Sequence, residues 1–456
     1  MVGVAERATY QGRLSLTASK HQRHRLTMAT AIAALTVALV VPVAEAASPK
    51  TKRMSISSGG AQTVTGNSLE PTTSATGRFV AFYSDATNLV GNDTNLDRDV
   101  FVRDRKKKRT RRISVRTGGG QANGDSFDPS ISADGRFVAF ASNATNLVGN
   151  DDNSAADIFV HDRKKKRTRR VSVKTGGAQA NGESFSPSIS ADGRFVAFAS
   201  NATNLVGNDD NSDSDVFVHD RKKKRTRRVS IKTGGAESND GSFSPSISAS
   251  GRLIAFSSRA TNLIGSDGNN QSDVFVHDRR SKKTKRVSVK TGGAEASGGG
   301  SVGPAISGDG RFVAFQSNAT NLVSDDVAHT DVFVHDRKKK RTKRVSIARG
   351  GGQADDQSFS PSISANGRYI GFHSDATDIA KNDLNGVRDA FVHDRKQKRT
   401  KRVSVKTGGA EAIGGVSRDV SISGDGRFVA FRSDAENLVG NDNNGLADIF
   451  MRGPLR

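Results

Sequence analysis

Six clusters of lysine and arginine give this sequence its strongest chemical character. They begin at Arg103, His161, His219, His277, His335 and His393, and the third reads HDRKKKRTRR. The chain has 70 Lys and Arg against 47 Asp and Glu, a formal net charge of +23 at pH 7, and the clusters carry more than this whole excess. Concentrated positive charge attracts polyanions, which neutralise it and release counterions. The predicted polyanion-binding residues are Arg105, Lys106, Lys107, Lys108, Arg109, Lys164, Lys165, Lys166, Arg167, Lys222, Lys223, Lys224, Arg225, Lys338, Lys339, Lys340 and Arg341.

Two interpretations of these clusters are open. Lysine-rich turns can be merely solvated, since charge at a strand edge prevents aggregation. Solvation accounts for a few lysines in a turn, but a larger charge that returns in every copy repels itself and indicates a partner. The partner would be an anionic polymer of the cell envelope, a membrane surface or a protein. Specific nucleic-acid recognition is disfavoured because the clusters contain no aromatic residue on which a base could stack.

A second motif, Asp-x-Asn followed by a further Asp, lies between the clusters. Alternating oxygen ligands in a tight loop suit Ca²⁺. The first and third copies are the best candidates for a structural calcium site, with Asp93, Asn95, Asp97, Asp209, Asn211 and Asp213 as ligands. The loops lack the glycine and the bidentate glutamate of known calcium loops, so ordinary Asx turns are the alternative interpretation. The sequence predicts no other cofactor.

Histidine and serine form no convincing catalytic group. Most histidines occupy one repeat position at the start of a cluster, where Arg103 and Met451 replace them in the end copies. That replacement indicates a packing role. His329 and His373 stand outside the pattern, and residues 299–303 (GGSVG) match a nucleophile elbow by spacing alone, because no helix pattern follows. The sequence therefore predicts a protein that is not an enzyme.

The clusters and acidic motifs belong to one repeated unit. A Gly-Arg-apolar marker returns seven times, at intervals of 57 to 59 residues, at Gly77, Gly135, Gly193, Gly251, Gly310, Gly367 and Gly426. A fixed period of this size is the signature of one supersecondary unit repeated along the chain. Fold class therefore follows from the unit rather than from the length of the chain.

Each unit contains four candidate strands, which in the third copy are residues 187–190, 194–198, 215–218 and 228–231. The two middle segments are continuous apolar runs, which indicates burial on both faces, whereas the fourth alternates and should be half-buried. Four antiparallel strands of this kind form a blade of a β-propeller. The sequence predicts an all-β, seven-bladed β-propeller over residues 47–456.

The last copy ends before its fourth strand. The missing strand is present at the other end of the repeat region, in residues 53–57 (RMSIS). Pairing this segment with the last blade would close the ring and remove the open edges that invite aggregation.

Segments such as PSISADGRFVAFAS followed by DVFVHD resemble the WD40-like (PD40) repeats of the TolB-type β-propeller family. The resemblance covers nearly all of residues 47–456. It implies the fold more than a function, because such propellers serve as scaffolds, as binding modules and occasionally as enzymes. The chain departs from TolB, which resembles a six-bladed ring with a second domain. The alternative function that the resemblance implies is a carbohydrate-active lyase or hydrolase in the axial funnel.

Residues 1–46 have a different composition. Lys20, Arg23 and Arg25 precede an apolar run over residues 28–41, and small residues at Ala44 and Ala46 fit a signal-peptidase site. The segment predicts a secretory signal peptide and an extracytoplasmic protein, secreted or held in the periplasm or cell envelope. Cysteine is absent, so the folded domain must be stable without disulfides. We expect a monomer with no transmembrane segment after cleavage.

In a four-stranded blade the loops alternate between the two ends of the ring. The basic clusters should therefore lie on one face and the acidic loops on the other. The sequence predicts an exported, non-catalytic binding or scaffold protein that docks through its basic face.

Overall fold

The computed structural model describes residues 48–265, 267–327 and 329–455, and the predicted signal peptide lies outside them. The described residues form seven antiparallel sheets of four strands each, which confirms the predicted seven-bladed β-propeller. They contain no helix, and thus none long and apolar enough to cross a membrane. Strand β1 (Lys50–Arg53) comes first in the chain but belongs to the last blade.

The other strands follow in chain order. Blade 1 is β2 (Ser68–Thr73), β3 (Phe79–Ser84), β4 (Asp99–Asp104) and β5 (Arg109–Arg112); blade 2 is β6 (Ser126–Ile131), β7 (Phe137–Ser142), β8 (Asp157–Asp162) and β9 (Arg167–Arg170); blade 3 is β10 (Ser184–Ile189), β11 (Phe195–Ser200), β12 (Asp215–Asp220) and β13 (Arg225–Arg228); blade 4 is β14 (Ser242–Ile247), β15 (Leu253–Ser258), β16 (Asp273–Asp278) and β17 (Lys283–Arg286). Blade 5 is β18 (Ser301–Ile306), β19 (Phe312–Ser317), β20 (Asp331–Asp336) and β21 (Arg341–Arg344); blade 6 is β22 (Ser358–Ile363), β23 (Tyr369–Ser374), β24 (Asp389–Asp394) and β25 (Arg399–Arg402); blade 7 is β26 (Ser417–Ile422), β27 (Val429–Ser433), β28 (Asp448–Gly453) and β1.

The two middle strands of each blade carry the core. In blade 3, Phe198 of β11 and Phe217 of β12 are fully buried and stack with ring centroids 5.9 Å apart. Val196 and Phe198 also pack against Ile158 and Val160 of blade 2. Because each blade covers its neighbours on both faces, its middle strands need no polar side, as the sequence predicted.

The fourth strand lies three residues earlier than predicted. In blade 3 it is Arg225–Arg228 instead of residues 228–231. After Arg228 the regular ladder ends. The amide of Val229 still donates to the carbonyl of Val216 at 2.8 Å, but the amide of Val216 donates to the hydroxyl of Ser230 at 3.0 Å instead of to a backbone carbonyl. Val229 is still buried, and this burial produced the alternation that misled the prediction.

Strand β1 closes the ring with the same displacement. It pairs antiparallel with β28 through Lys50–Arg53, so the predicted closing strand at 53–57 was placed three residues too late. The amide of Ser68 in blade 1 donates to the carbonyl of Ala447 in blade 7 at 2.8 Å. The same bond joins Ser184 to Ala156 between blades 3 and 2, so the seam is packed like any other junction between blades.

The alternation of loops separates two faces. The lysine face carries the turns between third and fourth strands, at 105–108, 163–166, 221–224, 279–282, 337–340 and 395–398. The acidic face carries the loops between second and third strands, at 85–98, 143–156, 201–214, 259–272, 318–330, 375–388 and 434–447. Because neighbouring strands in every blade are antiparallel, these two sets of loops lie at opposite ends of the ring, as predicted.

Candidate functional site

The turns of the lysine face are built around a carboxylate that ends each third strand. In blade 3, Asp220 accepts the amides of Lys222 and Lys223 at 3.1 and 3.2 Å and a two-pronged contact from Arg194 at 2.9 and 2.8 Å. Burial opposes ionisation of Asp220, but these hydrogen bonds outweigh it and hold the pKa of its carboxyl below the usual value. The turn is thus fixed from within while its lysines point outward.

One lysine in each turn has a left-handed backbone. Lys108, Lys166, Lys224, Lys282, Lys340 and Lys398 have φ between 49° and 53°. Glycine, asparagine and aspartate are the residues that usually occupy such a position. Lysine occupies it in all six turns in spite of the strain. Backbone strain that recurs at one repeat position indicates that the lysine side chain has a function there.

The exposed cations of these turns form no ion pair with any residue that the structure describes. Each of the six turns, with the following strand, presents four or five exposed lysines and arginines. All ion pairs among the described residues use arginine, and no described lysine pairs with another described residue. All of the predicted polyanion-binding residues except Arg105 are exposed.

Arg105 and its equivalents serve the packing of the ring. Arg105 lies 4.1 Å from the Phe428 ring of the neighbouring blade and donates to the carbonyl of Gly77 at 2.7 Å. In blade 2, Arg163 covers the ring of Phe79 at 4.4 Å, and burial lowers the pKa of Arg163 to about 10. Arg105 is therefore a packing residue. It does not belong to the exposed cations among which the sequence analysis placed it.

Clefts open between neighbouring turns of the lysine face. One of about 450 Å³ between blades 2 and 3 is lined by Lys165, Arg167 and Arg169 on one side and by Arg221 and Lys222 on the other. A similar cleft of about 380 Å³ lies between blades 1 and 2. The repeat thus produces a series of cationic clefts around one end of the ring.

On the acidic face, an arginine from the end of the fourth strand neutralises the predicted calcium motif. In blade 3, Nη1 of Arg228 lies 3.1 Å from Asp209 and 2.8 Å from Asp215 and also contacts Glu237. We call this arrangement an arginine junction. The equivalent arginines are Arg53, Arg112, Arg170, Arg286, Arg344 and Arg402.

The predicted calcium ligands are therefore divided among different roles. Asp93 and Asp209 bind the junction arginines, at 2.9 and 3.1 Å. The side chain of Asn211 donates to the carbonyl of Ser238 at 2.8 Å and accepts the amide of Asp213 at 3.0 Å, which is an Asx turn. Asn95 likewise donates to the carbonyl of Ala122, while Asp97 takes no part in the junction. Calcium binding stays a prediction, and the guanidinium occupies the place between the carboxylates that a cation would take.

Three junctions contain a surplus carboxylate. Glu237, Glu295 and Glu411 join blades 3, 4 and 6, whereas the other four blades have glutamine at this position. In blade 6, burial and the neighbouring carboxylates of Asp389 and Glu411 raise the pKa of Asp383 to about 7, against the opposing effect of Arg402. The single guanidinium does not compensate all three negative charges.

The repeated histidine is a packing residue, as predicted. Nδ1 of His219 lies 2.9 Å from the hydroxyl of Thr226, and burial lowers the pKa of His219 to about 4. The strand register assigns its position in blade 7 to Arg452 instead of Met451, because Val429 faces Arg452 as Val196 faces His219. A buried, neutral imidazole bonded to threonine carries no sign of catalysis.

No sequence pattern pointed to the mouth of the axial funnel on the acidic face. There Glu70, Asp128 and Asp419 come from three successive blades around the ring, and all three line one cavity. Each stands alone in the sequence, so no motif marks it. The only available signal was that the repeats differ from one another at this position.

Comparison with solved structures supports the fold. The β-propeller domain of the Trilobed protease from Pyrococcus furiosus, described as having an open velcro topology, superposes with a TM-score of 0.53 at 12% identity, over 86% of this chain and 94% of that chain. A chain from a structural and mechanistic study of two prolyl endopeptidases gives a TM-score of 0.51 at 12% identity, over 86% of this chain and 51% of that chain. A TolB from Agrobacterium tumefaciens is a more distant neighbour, with a TM-score of 0.41 at 15% identity over 76% of this chain and 95% of that chain.

Neither a protein-family model nor a curated protein matches the sequence. The structural likeness at this level of identity shows the β-propeller fold alone. The peptidases in this set join such a propeller to further chain, since this chain spans about half of their length.

Proposed function

We propose that this protein binds an anionic polymer of the cell envelope through its lysine face and acts there as a non-catalytic docking module. The observation that carries the proposal is the set of left-handed lysines, which hold unpaired charge at a backbone position that lysine disfavours. Solvation alone would be served as well by asparagine or glycine at that position.

The arrangement of the cations favours a long polymer over a small ion. The same cationic cleft returns between neighbouring blades, so a chain of regularly spaced negative charges could engage several turns together. Simultaneous engagement of weak contacts raises the overall affinity steeply. A single small anion would gain nothing from the repetition.

Nucleic acid is a poorer candidate because no aromatic face is free at this end of the ring. The nearest rings are already covered by guanidinium groups on both sides. Phe79 lies between Arg78 at 4.7 Å and Arg163 at 4.4 Å, and Phe137 lies between Arg136 at 4.6 Å and Arg221 at 4.4 Å. Bases would find charge but no surface on which to stack.

We further propose an extracytoplasmic location. It is supported by the basic and apolar pattern of residues 1–46. The polymers available there include teichoic-type chains and acidic polysaccharides, which share closely spaced negative charge.

The test uses heparin as the probe and compares a variant that removes the charge of the left-handed lysines with a variant that keeps it. All six left-handed lysines (Lys108, Lys166, Lys224, Lys282, Lys340 and Lys398) are replaced by asparagine in one variant and by arginine in the other. The asparagine variant should lose at least about tenfold in affinity at physiological salt, since each engaged lysine contributes roughly 1 kcal/mol near an anionic surface. The arginine variant should bind like the unmodified protein.

Affinity should also fall steeply as salt rises, and the slope should be shallower for the asparagine variant. Equal binding by both variants and the unmodified protein would overturn the proposal. So would binding that salt does not weaken.

A further inference from the structure

The acidic-face mouth of the axial funnel is the place where the repeat is broken most. A cavity of about 440 Å³ is lined there by the bulged residue of each first strand and the residue after it. This volume lies within the range of roughly 300–1,000 Å³ that is usual for small-molecule sites. The bulge residues in blade order are Glu70, Asp128, Ser186, Ser244, Gly303, Ser360 and Asp419.

The charged members are grouped on one side of the mouth. Blades 7, 1 and 2 are neighbours in the closed ring and contribute Asp419, Glu70 and Asp128, whereas blades 3 to 6 contribute serine or glycine. The three acids have φ of 55°, 48° and 50°, a left-handed backbone that aspartate tolerates and glutamate does not favour. Random drift among equivalent copies would not be expected to gather the acids together.

Glu70 and Asp128 come from neighbouring blades and line the same cavity, so the negative charge of Asp128 disfavours ionisation of Glu70. Partial enclosure in the funnel, together with the carboxylates of Asp128 and Asp419, raises the pKa of Glu70 to about 8. Because the side chain of Glu70 is exposed to solvent at the mouth, we attribute its raised pKa mainly to the neighbouring negative charges. The charged and titratable groups that face it are Asp128, Asp419, Arg432 and Tyr83.

The arginine junctions show how this protein compensates converging carboxylates. There a guanidinium lies between them, as Arg228 lies between Asp209 and Asp215. At the mouth no described guanidinium forms an ion pair with Glu70 or Asp128. The pair therefore has room for a cation supplied from outside.

Two guanidinium groups beside the acids lack close carboxylate partners. Arg418 and Arg432 face each other across the β26–β27 ladder, and like charges directly opposite each other are destabilising. The guanidinium of Arg418 makes no hydrogen bond or ion pair with the described residues, and Nε of each arginine is buried without a partner. Arg432 has a single long contact of 3.4 Å, to Asp434.

A buried histidine lies in blade 6, where its ring packs against Phe359 at 5.8 Å. His373 of blade 6 is only 5% exposed, and its Nδ1 has no hydrogen-bond partner. It holds the strand position that Gln316 holds in blade 5, and Gln316 lines the cavity. Unsatisfied buried polar atoms are rare unless a ligand or water completes them.

We propose that the funnel mouth binds a small zwitterion, whose ammonium or guanidinium group lies against Glu70, Asp128 and Asp419 and whose carboxylate lies against Arg418 and Arg432. This site goes beyond the docking function and lies on the opposite face of the ring. The entering cation displaces the proton that Glu70 holds, so binding at pH 7 releases a proton to solvent.

The probe is 4-guanidinobutyrate, whose two charges are fixed across the neutral pH range, measured by titration calorimetry on the full chain. We expect it to bind at least about ten times more tightly than either ethylguanidinium or butyrate, which carry one charge each. Repeating the titration in buffers of different ionisation enthalpy should give close to one proton released at pH 7 and progressively fewer above pH 8.

Glu70→Gln should abolish the proton release and weaken binding at least about fivefold, while Glu183→Gln, the same change on the acidic face of blade 3, should alter neither. Arg418→Gln should weaken binding of 4-guanidinobutyrate and leave the weaker binding of ethylguanidinium unchanged. The proposal would be overturned if 4-guanidinobutyrate bound no more tightly than ethylguanidinium or butyrate. It would also be overturned if the Glu70→Gln variant still released a proton on binding. Neither Glu70→Gln nor Arg418→Gln should change the affinity for heparin. The zwitterion site and the docking function can therefore be tested independently.

Discussion

Two sets of positive side chains share the same hairpins yet behave in opposite ways. Arg228, at the end of β13, is buried and contacts three carboxylates, whereas Lys222, Lys223 and Lys224 at the start of the same hairpin contact none. The planar fork of arginine can satisfy several carboxylates at once, while the lysine ammonium stays hydrated. The comparison teaches that charge is structural at one end of each hairpin and is left for a partner at the other.

The largest effect should follow from removing a junction arginine. Arg228→Ala leaves Asp209, Asp215 and Glu237 without their cation, and breaking a buried pair in this way costs about 3–5 kcal/mol. Chemical denaturation should show this loss, whereas the exposed neighbour Arg227→Ala should change stability by less than about 0.5 kcal/mol. If the two variants lost similar amounts of stability, the distinction between structural and free charge would be wrong.

A smaller loss is expected from the arginine that bridges neighbouring blades. Arg163→Ala removes a guanidinium that covers Phe79 and donates to the carbonyl of Gly135. We expect a loss of about 1–2 kcal/mol from the cation–π contact and the buried stem. Lys164→Ala, one residue further into the turn, is the control and should be nearly neutral in the same denaturation experiment.

Replacing a left-handed lysine should have the opposite effect and stabilise the protein. Lys166→Asn relieves a backbone conformation that asparagine tolerates, so the variant should be more stable by about 0.5–1 kcal/mol. Lys165→Asn, which loses the same charge at an ordinary position, should show no gain. Should Lys166→Asn destabilise the protein, the lysines would prove to be structural and the comparison would fail.

The smallest effect concerns the pH dependence of the surplus carboxylate. Asp383 holds its proton more tightly in the folded state than in the unfolded state, so the stability that it contributes is lost as pH rises toward 7. Glu411→Gln removes one of the charges that raise this pKa and reproduces the glutamine of four other blades. The fall in stability between pH 5 and pH 8 should therefore shrink by about 0.5 kcal/mol. An unchanged slope would show that the neighbouring charge has no effect on Asp383.

Much of the fold followed from the repeat. The Gly-Arg-apolar marker located every blade, and Gly193 illustrates why it does so: its φ is 70°, and a side chain there would overlap the ring of Phe137 in the preceding blade. The fourth strands were displaced because Val229 and Ile231 continue the apolar alternation of the sequence beyond Arg228, where the strand ends. Burial patterns mark the core but do not mark where backbone pairing ends.

The candidate sites were only partly predictable. Counting charge identified the free lysines, but it could not separate Arg105, which packs on Phe428, from Lys106 beside it. Composition alone did not reveal that the acidic motif has an arginine partner, because Arg112 reaches Asp93 through strand register. Glu70, Asp128 and Asp419 are distant in sequence and meet only because the ring closes.

That closure has a consequence for how the protein is made. The first strand to leave the ribosome, β1, has no sheet to join until β28 has been synthesised, so six blades can stack before the seventh is complete. Long-range pairings of this kind form late and slowly. The seam between β1 and β28 should therefore be the last part of the molecule to assemble and the first to open under force.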